Sequence, residues 1–367
     1  MAGERSGQGD ERAREPPHAA PAPLARRARD GPVRLQSWHP ESLAARAPFL
    51  RRRGLLTAAT RAFFASRGYA EVETPYAVSA PGEEVHLRAF ATVRERPDGS
   101  REALWLNTSP EFAMKRLLVA GAGPVFQLAR VWRNGEESAL HAPEFTMLEW
   151  YRPGASMGSL MAETETLLRA LLPRRVSCRG VTTDLSVFER LRVAEAFTRY
   201  AGADVLASEG DAAGLAAAAG ARLREGESWE DLFFRLLLER IEPRIGRAHP
   251  TFLTHWPVSQ AALARRDPAD PRVAERFELF VCGIELANAF VELTDPVEQR
   301  RRFEADRARR HAAHGEDWPL DTDFLAALAH GMPEAAGIAL GFDRLAMIAS
   351  GAERIGQVMW LPPPALA

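Results

Sequence analysis

This sequence predicts an α+β fold, an antiparallel sheet flanked by helices, from three observations. Residues 125–152 (VFQLARVWRNGEESALHAPEFTMLEWYR) alternate on both flanks and lose their apolar period between Asn134 and His141. Residues 277–294 (FELFVCGIELANAFVELT) alternate around Gly283. Stretches such as 50–67 instead repeat apolar residues at helical spacing. Period two on either side of a turn signal reads as an antiparallel hairpin, and a period near 3.6 as an amphipathic helix.

The 367 residues leave room for one large or two ordinary domains, with an ample core. Apolar content of 46% and charged content of 26% are those of a globular chain in water. A net charge of −2 supplies no overall drive toward nucleic acid. Cys178 and Cys282 are too far apart for a disulfide framework or a metal-ligand spacing, which points to a reducing cytoplasm. No apolar run reaches membrane-spanning length, and the N-terminus lacks the apolar centre of a signal peptide. Lys115 is the only lysine among many arginines, and reads as genome composition without functional weight.

Residues 1–44, rich in Arg, Pro and Ala, are expected to be a disordered tail, because they bury too little to offset ordering entropy. A helix over 50–67 carries Leu55, Leu56, Ala59, Phe63 and Phe64 as an apolar stripe and ends at Gly68, before a strand at 69–75. Residues 104–116 read as a short strand and a helix start, with Ser109 as N-cap, Pro110 first in the helix and Glu111 at its positive end. The stretch 156–266 is mainly helical and carries no chemical motif. His249 and His255 are single and lack metal spacing.

The first hairpin puts Gln127, Ala129, Val131 and Arg133 on one face, and Phe145, Met147, Glu149 and Tyr151 on one face of the return strand. Such a set is expensive to desolvate without partners. In the second hairpin a turn near Val281–Cys282 would set Glu278 opposite Glu285. Facing carboxylates repel unless a cation lies between them, and oxygen ligands of this kind suit Mg²⁺ beside phosphates. Asn288, Phe290 and Glu292 then share a face. Residues 337–349 (GIALGFDRLAMIA) run strand, Gly turn, helix, with Asp343 in capping position.

An Arg closing a strand, a charged loop and then His-x-Pro-Glu-Phe resembles motif 2 of the class II aminoacyl-tRNA synthetases. The helix-Gly-strand-Pro at 50–75 resembles their motif 1, and Gly-Phe-Asp-Arg at 341–344 their motif 3. The resemblance covers about residues 45–360, so the catalytic domain is placed at 45–367 with a helical insertion at about 156–266. It implies ATP and Mg²⁺ as cofactors and a homodimer formed through motif 1.

The same resemblance assigns catalytic charge stabilisation to Arg133 and Arg344, with Phe145 stacking on adenine. Asn134, Gly135, Glu136, His141 and Ala142 complete the motif 2 side of the ATP site, and Glu285, Leu286 and Gly341 its other side. Glu278 and Glu285 would hold the metal. In the lysyl branch the matching Ser109, Pro110 and Glu111 bind the substrate amino group. Glu149, Tyr151, Asn288, Phe290 and Glu292 face the rest of the amino acid.

Few residues precede motif 1 and they are not strand-forming, so a lysyl-type anticodon-binding domain is not expected and tRNA is an unlikely partner. The chain resembles instead the lysyl-synthetase paralogues that ligate (R)-β-lysine to a lysine of elongation factor P. Ala339, where lysyl-tRNA synthetases usually carry Gly, fits a β-amino substrate. The departures are Gly135 for the usual Glu of motif 2 with Glu136 one place later, Ala142 for Asn, and Ala289 for Gly. Glu136 is expected to take over the displaced carboxylate's role. Aminoacylation of tRNA by a truncated enzyme, a non-catalytic amino-acid sensor and a mere scaffold stay open as alternatives.

Overall fold

The structure, a computed structural model, describes residues 36–261, 263–363 and 366. Most of the expected tail lies outside these residues. Its last positions belong to the first helix, Pro40–Ala65, which starts earlier than expected because His39 caps it and Pro40 fits its first turn. Leu50, Arg53, Leu56, Thr60, Phe63 and Phe64 are its buried residues, whereas Leu55 and Ala59 point outward. Among the described residues no helix is long and apolar enough to cross a membrane.

The main sheet has eight strands: β1 (Ala70–Glu71), β2 (Val125–Trp132), β3 (Glu144–Pro153), β4 (Glu189–Arg192), β5 (Thr251–Pro257), β6 (Val273–Val281), β7 (Ile284–Val291) and β8 (Ala335–Gly341). Their order is β1-β2-β3-β8-β7-β6-β5-β4. The central pairings are antiparallel, as expected, and the two edge pairings, β1 with β2 and β4 with β5, are parallel. The strand expected over 69–75 shrinks to β1, since only Ala70 and Glu71 find ladder partners before Pro75.

Alternation gives the sheet two faces. Phe126, Leu148, Ile338, Ala289 and Leu279 face one core, packed against helices Pro40–Ala65, Met157–Leu171 and Phe342–Ser350. Inside that core Arg53 pairs with Asp343, and the same carboxylate accepts the Thr146 N–H at 2.6 Å. Asp343 is therefore no cap: Gly341 holds the N-cap position and makes no side-chain bond there. A buried cation on the first helix has captured the carboxylate instead.

The expected helical insertion is only partly helical. It holds a hairpin, Arg175–Cys178 with Val181–Asp184, and contributes β4 and β5 to the main sheet. β5 lies between two cores, with Phe252 in one and Leu253 and Trp256 in the other, so its run is apolar on both sides and shows no alternation. The helices Ala212–Ala218 and Trp229–Leu236 build the second core.

The β6–β7 turn falls at Cys282–Gly283, one place later than expected, with φ of 55° and 69°. Left-handed conformation at both central residues is what a two-residue primed turn requires. The ladder then slips: Phe280 pairs with Glu285 and Leu279 with Ala287, leaving Leu286 extra. Glu278 consequently faces Asn288, not Glu285. The bulge has a second effect. It keeps Glu285 and Asn288 on the same face despite their odd spacing.

Candidate active site

The other face of the sheet carries two rungs of register partners. One reads Gln127, Glu149, Ala339, Asn288, Glu278, and the next Val125, Tyr151, Gly337, Phe290, Arg276. Over them opens a cavity of about 320 Å³. Helix Glu111–Val119 and the loop at 84–87 close its sides.

At one end are cations and a ring. The Arg133 guanidinium lies 5.2 Å from the centre of the Phe145 ring, and its buried Nε has no hydrogen-bond partner among the described residues. Glu136 approaches Arg133 only to 4.0 Å. Arg344 donates from Nη1 to the Glu285 carbonyl at 2.7 Å and lies 3.4 Å from the Glu285 carboxylate. Its Nη2 stands 2.6 Å from His141 Nε2. Burial, and then Arg344, push the His141 pKa down. A neutral imidazole accepting at Nε2 must carry its proton on Nδ1, which donates to Ser138 Oγ at 2.7 Å. Two arginines and an aromatic face, held by neutral and acidic neighbours, can bind a nucleotide's phosphates and base.

At the other end are carboxylates. Glu149 is fully buried and accepts from Ser109 Oγ at 2.5 Å and from the Tyr151 hydroxyl at 2.9 Å. Ser109 Oγ also accepts the Glu111 N–H at 3.0 Å, although Pro110, not Ser109, occupies the N-cap position. Lys115, 2% exposed, pairs with Glu111 one turn back and with Glu292 at 2.5 Å. Glu292 Oε1 is buried without a hydrogen-bond partner among the described residues. Two carboxylates thus pair with one ammonium and a third, Glu149, is held by hydroxyls alone, an arrangement with room for more positive charge.

A family model described as tRNA synthetases class II (D, K and N) matches residues 44–364. The chain belongs to this family. With membership comes the family's general chemistry, ATP-dependent activation of an amino acid. The arginine-and-phenylalanine end of this synthetase domain and its carboxylate end lie in one cavity, as an activation site needs.

Most of the expected site residues line that cavity, and five do not. Glu149 and Glu292 lie behind its wall: Glu149 touches the lining residues Ser109 and Tyr151, and Glu292 is linked to the lining Glu111 by the buried Lys115. Pro110, Asn134 and Gly135 are not part of the wall at all. Asn134 and Gly135 belong to the loop whose backbone is tied back, the Asn134 N–H donating to the Arg88 carbonyl at 2.8 Å. Ala142 is fully buried, so its methyl packs into the wall where an amide is usual in the family. A Cβ on Gly341 would meet Arg344 no closer than 3.5 Å, so the protein itself does not demand glycine there.

Several functional positions escaped sequence reasoning. Lys115 is the most consequential, having read as composition alone. Gly337 is another: a Cβ there would lie 2.2 Å from the Tyr151 ring and 2.7 Å from Glu292 Oε1. Only glycine lets the phenol lie across β8 and reach Glu149. Arg276 packs 4.2 Å from the Trp256 ring centre and binds Glu278 at 2.6 Å and Asn288 Oδ1 at 3.1 Å. Glu242 stands near the carboxylate pair, and burial, then Glu285, push it up to about 7.

Among the described residues no three of His, Cys, Asp or Glu gather as a metal cluster. Mg²⁺ in synthetases of this class needs fewer protein ligands, because phosphates and water complete its shell. Glu278 and Glu285 fit that use. Burial pushes Glu278 up to about 8, Arg276 opposes the rise, and Glu285 adds to it. A divalent cation would relieve that repulsion with an all-oxygen donor set.

The carboxylate end predicts a pH dependence. Burial first and Glu111 second push Glu149 up to about 8. Glu292 is pushed to about 8 by burial, against Lys115 and with help from Glu111. Below pH 8 the empty site therefore holds protons that a bound ammonium must displace. Affinity for an amine-bearing ligand should rise between pH 6 and 8 by on the order of tenfold per unit for each proton released. Calorimetry in buffers of different ionisation heat checks this. Proton release is expected, and a flat profile would contradict it.

Proposed function

We propose that this chain activates a diamino acid, (R)-β-lysine or lysine, as its adenylate and transfers the acyl group to a lysine ε-amine of elongation factor P. One observation carries the reading: the phosphate-binding end opens onto the Glu111 carboxylate and the Tyr151 phenol, backed behind the wall by Glu149 and Glu292, with Lys115 as the cation paired to Glu111 and Glu292. Of the substrates in the family description, an acidic amino acid would be repelled there and a basic one attracted. Ala339 sits in the wall as the ladder partner of Glu149, where its methyl trims the pocket beside the amine site. This supports a substrate whose amino group is displaced relative to an α-amino acid.

In the first step the substrate carboxylate attacks the α-phosphorus of ATP and pyrophosphate leaves. The nucleophile is already ionised, so no general base is needed. Arg133 and Arg344 hold the phosphates and offset the charge that grows in the transition state. Glu278 and Glu285 would hold Mg²⁺, which when bound would supply further positive charge to the phosphates. Phe145 and the neutral His141 orient the nucleotide, His141 by fixing Arg344. Glu111 aligns the substrate amine and so the carboxylate, while Glu149 and Glu292 act from behind the wall, Glu149 by orienting Ser109 and Tyr151 and Glu292 through Lys115. Glu136 stands in for the carboxylate that motif 2 usually carries one place earlier. Dimer formation through the first helix is part of the reading, supported by Leu55, which is 64% exposed on its outward side.

Incubation with elongation factor P, ATP, Mg²⁺ and either amino acid should add one acyl group to a lysine of the factor, read by intact mass and peptide mapping. Charging of lysine tRNA with no gain on the factor would overturn the acceptor assignment.

A further inference from the structure

A second cavity, of about 150 Å³, adjoins the first and shares Glu84, Arg276, Asn288 and Phe290 with it. From this inner end it runs outward past Val85, Phe234 and Leu263 to a rim of exposed residues, His86, Ser259 and Arg309. Its walls are mainly apolar. Of the acidic side chains along it, Glu230 and Asp306 are both paired with Arg309. Glu84 differs. Among the described residues its carboxylate makes no hydrogen bond and no ion pair, while its carbonyl accepts the Leu87 N–H.

The charges that act on Glu84 locate it: Arg133, Glu111, Arg276 and Glu136. Arg133 is assigned to the α-phosphate and Glu111 to the substrate amine. The acyl carbon of an adenylate must lie between those two groups, within the field of Glu84. By area Glu84 is exposed, yet what it exposes lines the two cavities, where the crowding walls desolvate it and raise its pKa.

We propose that this side channel is the entry for the acceptor amine, and that Glu84 at its inner end is the base that deprotonates it. The inference rests on the function proposed above and names the site of its second step. An alkylammonium fits the channel, apolar walls along its methylenes and an unpaired carboxylate at its head. The ammonium gives one proton to Glu84, and the neutral nitrogen attacks the acyl carbon. The C–N bond forms as the bond from carbon to the phosphate oxygen breaks. AMP departs with that electron pair, and the second N–H proton passes to water. Before attack Glu84 must be ionised; its raised pKa makes it a better base than an ordinary carboxylate.

The test uses the full chain with enzyme-bound adenylate formed from ATP and the diamino acid that supports pyrophosphate exchange. Single-turnover acyl transfer is followed to n-butylamine, a lysine side-chain mimic that is charged at pH 7, and to hydroxylamine, which is neutral there. Glu84→Gln should lower the butylamine rate relative to the hydroxylamine rate by about 100-fold. Ser259→Trp, at the rim, should lower the same ratio on the order of tenfold by obstructing the approach. Ratios equal to those of the unaltered chain in both variants would overturn the inference. Absence of pyrophosphate exchange in the unaltered chain, with any diamino acid, would instead overturn the function it rests on and the inference with it.

Discussion

Lys115→Met is expected to destabilise the fold by about 3–5 kcal/mol, because it strips the buried Glu292 and the adjoining Glu111 of their cation. Burial pulls Lys115 down, but the two carboxylates together hold its pKa above the usual lysine value, so the ammonium is charged in the native state. The pH dependence has a definite sign. Glu292 already stands at about 8, far above an unfolded carboxylate, so protonating it favours the native state. Losing Lys115 raises it further. The deficit of the variant should therefore be smallest near pH 5 and grow through pH 8. Denaturant melts at several pH values check it, and a deficit independent of pH would show that packing alone is lost. Lys115→Arg keeps the charge but adds bulk to a site with no spare room, so only partial recovery is expected.

Arg344→Ala should lower ATP–pyrophosphate exchange by about 10²–10³-fold, the usual loss when one preorganised donor to a developing negative charge is removed. Stability should change far less. The Arg344 side chain is 19% exposed, and its partners are the Glu285 carbonyl and a His141 nitrogen that water can reach once the guanidinium is gone. Lysine at this position would reach one of those partners at a time and recover little. Exchange rates beside thermal melts separate the two effects. A variant that melts early and loses activity in proportion would mean that Arg344 acts structurally.

Much of the site face was legible in the sequence because strand alternation is a strict rule. Phe145, Met147, Glu149 and Tyr151 project from the sheet together, as do Asn288, Phe290 and Glu292, and their partners follow from the ladder. Three kinds of feature were not legible. The bulge at Leu286 changes parity between Glu285 and Asn288, and no local residue announces it. Lys115, one turn after Glu111, has the spacing of an ordinary surface ion pair; its burial depends on Glu292, distant in sequence. Gly337 and Glu84 owe their roles to Tyr151 and to a neighbouring cavity, and a loop such as PGEEVHL has no period to read. β5 reads as part of a helical region in the sequence because a strand buried on both faces shows no alternation.

The central claim is that one cavity joins ATP chemistry to a site for two amines, and ATP–pyrophosphate exchange with matched amino acids tests it most directly. Lysine and (R)-β-lysine would be compared with norleucine, which keeps the chain and loses the terminal amine. Exchange with the diamino acids and at least about 100-fold less with norleucine is the predicted result, since a buried ionic site left unpaired is strongly rejected. Equal exchange with norleucine, or none with any of the three, would contradict the account.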